Sequence, residues 1–167
     1  MEFIFSEIEN CLKAKLYYSA FVCALILPDT CASLSAPNEK TNVRYIEWYK
    51  KYVHSEKNFY TSEDCYALRC SMVHEGATFA HKSKFSRVLF ILPEYSNIFG
   101  HNNMIQIGDE MVLMIDINIF CREIVNGARK WFSEIQQNEH FKKNYQKIIK
   151  IHPEGYPPYI VGIPVMG

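Results

Sequence analysis

The chain has 167 residues, with 49% hydrophobic, 14% aromatic and 22% charged side chains, a composition that excludes disorder and fits a single domain able to bury a core. Lys plus Arg and Asp plus Glu each number 18, so no global cationic field recruits nucleic acid, and RNA binding would need a local patch or one assembled from two chains. The opening MEFIFSEIENCLKAK lacks the basic start and small-residue cleavage site of a signal peptide, and the longest nearly continuous apolar run, LYYSAFVCALIL (16–27), is too short to span a bilayer. The expectation is a cytoplasmic protein with no membrane partner.

In chain order, Ile4, Ile8, Leu12, Leu16, Ala20, Cys23 and Leu27 recur at helical spacing and predict one helix over 2–27, apolar all round in its second half and therefore central. Pro28 then restarts a short helix at PDTCASLS, since proline suits a first turn and not an interior. SAPNEKTN (35–42) reads as a loop, and a third helix over 43–53 turns Tyr45, Ile46, Tyr49, Tyr52 and Val53 inward and Arg44, Glu47, Lys50 and Lys51 outward. A fourth, over 62–74, opens at Thr61 with Asp64 as its capping-box partner and stops at Gly76.

The stretch GATFAHKSKFS is a loop carrying Lys82 and Lys84. RVLFIL (87–92) predicts a strand, and MIQIGDEMVLMI (104–115) a hairpin turning at GDE. After Asp116, an N-cap, a helix over 117–135 places Ile117, Phe120, Ile124, Ala128, Trp131 and Ile135 on one side, and helical spacing resumes after a bend near 136–138 through Phe141, Tyr145 and Ile148. The Pro-rich tail over 153–167 is expected to be extended. The fold class is thus mainly α: a helical bundle over 1–152 with a small antiparallel β insertion at about 87–115.

The fourth helix carries an anomaly. Cys65, Leu68, Met72 and Val73 define its apolar face, and Arg69 falls inside that arc, with His74 at the helix end. A guanidinium cannot shed its charge, so burying it demands a carboxylate, phosphate or carbonyl partner. One reading is structural: an ion pair to Glu63, Asp64 or an acid of a neighbouring helix, with His74 near the C-terminal carbonyls. The other is functional, but five residues rotate about 140° on a helix, so Arg69 and His74 share a task only if the helix end unwinds or two chains pool their pairs.

At these residues LRCSMVHEG resembles the Arg-x4–6-His motif of the HEPN superfamily, and the flanking YYSAFVCALILPDTCASL, RYIEWYKKY and YTSEDCYALRCSMVHEG are similar to a largely uncharacterised bacterial and plasmid-encoded subgroup. The resemblance covers roughly residues 10–135. It implies a helical bundle, usually a homodimer with facing motifs and, in active members, a metal-independent endoribonuclease acting on single-stranded RNA, often a toxin paired with a nucleotidyltransferase-type antitoxin or a defence effector. By position, Arg69 would neutralise the scissile phosphate and His74 would move the proton. Active members commonly carry Asn, Asp or His directly after the arginine; here that position is Cys70, a poorer hydrogen-bonding group, with Ser71 and Glu75 as alternative polar support. The alternative is a non-catalytic HEPN-like dimeric module that binds RNA, a nucleotide or a protein partner, with Arg69 as its anion anchor.

Neither a cofactor nor a metal is expected. Cys70 and His74 are spaced i, i+4, with Cys65 and His81 near in sequence, but no second close Cys/His pair completes a zinc set. The six cysteines (11, 23, 31, 65, 70, 121) read as reduced, and Cys23 and Cys31, set among Leu and Ile, as inert thiols. Lys82, Lys84, Arg129 and Lys130 are the candidate substrate-binding cations, with Arg122, Lys142, Lys143 and Lys147 as further basic residues on a solvated helical side.

Overall fold

The structure, a computed structural model, describes residues 1–78 and 83–167. Glu2–Lys13 forms α1 and Tyr17–Ser35 forms α2. The single helix expected over 2–27 is therefore two, because Lys15 turns left-handed (φ 59°) and the Leu16 N–H closes back on the Cys11 carbonyl at 2.8 Å. Pro28, expected to restart a helix, lies inside α2 instead. A mid-helix proline removes a hydrogen bond and crowds the preceding turn. Burial of Leu25, Leu27, Pro28, Cys31 and Ala32 carries the chain through it. By length and composition α2 is apolar enough to cross a bilayer, yet half of that stretch is buried and it packs on α1 and on the helices described next, as the core helix of a bundle does.

Thr41–Tyr52 forms α3, which buries Tyr45, Trp48 and Tyr49. Ser62–Glu75 forms α4, with the expected capping box: the Asp64 N–H donates to Thr61 Oγ1 at 3.2 Å and the Thr61 N–H to Asp64 Oδ2 at 2.9 Å. Gly76 ends it in the left-handed conformation at φ 67°. The inward face is Cys65, Leu68, Ser71 and Met72; Val73, expected there, is exposed.

The insertion comprises β1 (Arg87–Ile91), a 3₁₀ turn at Pro93–Tyr95, α5 (Ser96–Phe99), β2 (Asn103–Ile107) and β3 (Glu110–Asp116). The β2–β3 hairpin is antiparallel as expected, but β1 pairs in parallel with β3, so the sheet is mixed, in the order β1-β3-β2. The helical turns between β1 and β2 carry β2 past its neighbour's place, and β3 returns into the gap between them. Val88, Leu113 and Ile115 face the helices, and the Phe90 ring lies 4.2 Å from Phe21 and 5.5 Å from Phe120.

Ile117–Ile135 forms α6, capped by Asp116 Oδ1 on the Ile119 N–H at 2.9 Å. Its buried stripe includes Phe120, Ile124, Ala128 and Trp131. Gly127 meets the end of α3, where a Cβ would fall 2.7 Å from Val53 Cγ2 and 2.8 Å from the Tyr52 carbonyl oxygen. After a break, Glu139–Tyr145 forms α7, capped by Asn138 and seated edge-on against Trp131 through Phe141 at 5.7 Å. The tail carries two short antiparallel strand pairs. Ile151–His152 (β4) pairs with Val165–Met166 (β7), and Gly155–Tyr156 (β5) with Ile160–Val161 (β6).

Candidate functional site

The partner of Arg69 is neither Glu63 nor Asp64 but Asp29, on the neighbouring helix α2. Arg69 Nη2 donates to Asp29 Oδ2 at 2.8 Å, while Arg44 of α3 donates to Oδ1 through Nη2 at 3.0 Å and Nε at 3.3 Å. The three side chains are only 14–17% exposed, so the pairs sit in a partly desolvated setting where attraction is stronger than at a free surface. Each carboxylate oxygen is taken by one arginine, leaving two cations against one anion. The Nε of Arg69 is buried and has no hydrogen-bond partner. These residues, with Ile26, Thr30 and Ser33, line a notch of about 310 Å³. Asp29 had a sequence signal: it is the only charged residue between Leu16 and Ser35, and a lone carboxylate in an apolar helix must find a cation.

His74 is exposed and opens on a different groove, of about 500 Å³, between α3 and α4. Cys70, Ser71 and Glu75 line it with His74, together with Asn42, Ile46 and Tyr66. Burial, then a hydrogen bond with Cys70, pushes the Tyr66 hydroxyl above its ordinary value. Within one chain the structure therefore gathers His74 with Cys70, Ser71 and Glu75 and sets Arg69 apart, as a rotation of about 140° over five residues requires.

The remaining candidates separate by their contacts. Lys82 and His81 lie outside the described residues. Lys84 is exposed, with its ammonium 5.1 Å from the Phe85 ring, and Lys130 is exposed on α6. Arg129 is already engaged: its guanidinium bonds Glu9 at 2.6 Å and Glu2 at 2.7 Å, and that hydrogen bond holds the Glu9 carboxyl below its usual range. It fastens α6 to α1 and offers little to an anion. Among the described residues, no group of three or more His, Cys, Asp or Glu side chains is placed to hold a metal. The thiols are unpaired; burial raises Cys23 and Cys31 and pushes Cys121 up to about 12, so these three are not ready nucleophiles.

One titratable cluster has no counterpart in the sequence reading. Tyr60 donates to Glu123 Oε2 at 3.3 Å, and His101 Nε2 lies 3.9 Å from the same oxygen. Asn102, in the left-handed conformation, holds this segment to the loop before α4: it accepts from the Phe59 N–H and donates to the Lys57 carbonyl, both at 2.9 Å. Separations of 63 residues for Tyr60–Glu123 and 22 for His101–Glu123 leave no spacing signal to read. Burial raises the Glu123 carboxyl above its ordinary 4.5, opposed by His101 and by the Tyr60 hydrogen bond. The stabilisation from the protonated form is full below 4.5 and is lost as pH rises through the higher folded-state value. Glu123→Gln is therefore expected to unfold at higher denaturant than wild type at pH 7, the two curves converging towards pH 4; urea titrations across that range check it. No known family profile, characterised protein or solved structure matches this chain.

Proposed function

We propose that this chain is an HEPN-like module that binds single-stranded RNA through its phosphates, anchored at Arg44 and Arg69. The observation that carries the reading is the excess of cation in the notch: two guanidiniums share one carboxylate, and Arg69 keeps a buried N–H without a partner. Guanidinium groups match phosphate oxygens in a planar fork, and a partly desolvated cation is worth more to an anion than one in open water. In a chain of zero net charge, such a local excess is the kind of feature that RNA binding requires.

Fluorescence anisotropy with a labelled single-stranded RNA tests this. Wild type is expected to bind with an affinity that falls as salt rises, and Arg44→Gln/Arg69→Gln to bind at least about tenfold more weakly with a shallower salt dependence. Because the double variant removes both counter-charges of Asp29, urea unfolding is measured beside it, and the affinities are compared at temperatures where both proteins are folded. Equal affinity and equal salt dependence in the two proteins overturn the reading.

A second reading, the metal-independent endoribonuclease, is favoured by the exposed position of His74 in a groove that also presents Cys70, Ser71 and Glu75. It requires a homodimer, since a second copy must bring one chain's Arg69 to the other's His74. End-group analysis of RNA incubated with wild type and His74→Ala separates the readings. Cleavage that persists in EDTA and disappears in the variant replaces the binding module with the enzyme.

A further inference from the structure

The last nineteen residues, 149–167, make their backbone bonds to one another and have no apolar core of their own. Lys150 and Gly167 exchange N–H to carbonyl bonds at 2.8 and 3.0 Å, and the Gly162 N–H reaches the Glu154 carbonyl at 2.9 Å. The β4–β7 register sets Ile151 beside Met166, the β5–β6 register sets Tyr156 beside Ile160, and the Tyr156 and Tyr159 rings stack at 6.2 Å. Tyr159, Val161, Ile163 and Met166 nonetheless remain 63–80% exposed. Strand pairs two residues long are marginal in water, and a segment that turns its largest apolar side chains outward lacks the burial that would hold it.

From Lys142 to the end of the appendage the charges are of one sign but for Glu154. Glu154 is the only acid in 149–167, while Lys142, Lys143, Lys147 and Lys150 lie on or just after α7. Lys142 pairs with Glu139 at 3.0 Å; Lys143 and Lys147 are exposed and, among the described residues, form no ion pair. An anionic lipid surface answers both features. Its headgroups attract the lysines, and the boundary between headgroup and acyl chain takes Val, Ile and Met side chains, with tyrosine at the level of the polar groups. Single-stranded RNA answers the lysines and the exposed Tyr156 and Tyr159 rings, but it leaves the exposed Val161, Ile163 and Met166 side chains uncovered. Such docking needs no spanning helix, so α2 stays in the core.

We propose that residues 142–167 form a peripheral membrane-docking element for anionic bilayers, with the appendage as its apolar tip and the lysines as its electrostatic collar. The test is sedimentation of the full chain with phosphatidylcholine vesicles that contain or lack phosphatidylserine. Binding is expected to the phosphatidylserine vesicles, to loosen with salt, and to fall about fivefold for each of Lys143→Gln and Lys147→Gln. Val161→Ser/Ile163→Ser is expected to lower it at least about tenfold while circular dichroism of the bundle stays unchanged. Gly155→Ala gives a second line: Gly155 has φ 93° and a Cβ there would strike the Ile160 carbonyl, so the appendage unfolds as a unit and vesicle binding goes with it. Absence of sedimentation with either vesicle overturns the proposal, as does sedimentation that none of these variants weakens. Binding of RNA but not vesicles, lost in the lysine variants, overturns it in favour of a nucleic-acid surface.

Discussion

Asp29→Ala is expected to destabilise the fold by about 2–4 kcal/mol, because it leaves two partly buried guanidiniums side by side with no counter-charge. Arg44 and Arg69 each reach one oxygen of the same carboxylate and are 17% exposed, so water replaces little of what is lost. Losing one arginine alone leaves the carboxylate still paired, so Arg69→Gln should cost less, about 1 kcal/mol. Replacing all three by apolar residues of similar volume should recover much of the loss, since the desolvation of every charge is then avoided together. Urea unfolding of the four proteins checks the order. If Asp29→Ala is as stable as wild type, the cluster contributes nothing to the fold. The substitution also bears on function: Asp29→Asn frees both guanidiniums and should tighten RNA binding even as it weakens the fold, an opposition that a purely structural ion pair would not produce.

Truncation of Trp131 to alanine is expected to lower stability by about 3–5 kcal/mol, the range for removing a large aromatic from a core. Trp131 is 1% exposed and is the surface on which α7 rests: the Phe141 ring meets it edge-on at 5.7 Å, and Phe132 and Tyr145 complete the stack around Phe141. Tyr145 in turn accepts a hydrogen bond from the N-terminal ammonium at 2.8 Å, so loss of the indole loosens α7 from α1 as well as from α6. Trp131→Phe keeps a ring in the site and should cost about 1–2 kcal/mol. Thermal unfolding gives the stabilities, and hydrogen exchange over 139–145 gives the local consequence. Unchanged exchange there in Trp131→Ala would show that α7 is held by something other than this aromatic stack.

Where a structural decision is made within one turn of chain, the sequence alone determined it. Thr61 with Asp64, Asp116 with the Ile119 amide, and Gly76 in its left-handed turn join groups at most six residues apart, so composition and spacing suffice to place both ends of α4 and the start of α6. Apolar periodicity determined α6 in the same way, and it showed that a cation at Arg69 needs a carboxylate, phosphate or carbonyl partner. The break at Lys15, the passage of Pro28 through α2 and the parallel placing of β1 went against local expectation; at Pro28 the reason is burial from several sides, which outweighs the preference of a single residue. The identity of the acid was decided only by the packing of α2 against α3 and α4, which brings Asp29 across 15 residues to Arg44 and across 40 to Arg69. The meeting of Tyr60 and His101 at Glu123 is likewise a product of the insertion folding onto α6. Caps close within a helical turn and are written in spacing; ion pairs between helices depend on which faces the core has turned towards each other, and that is fixed only when the whole chain has packed.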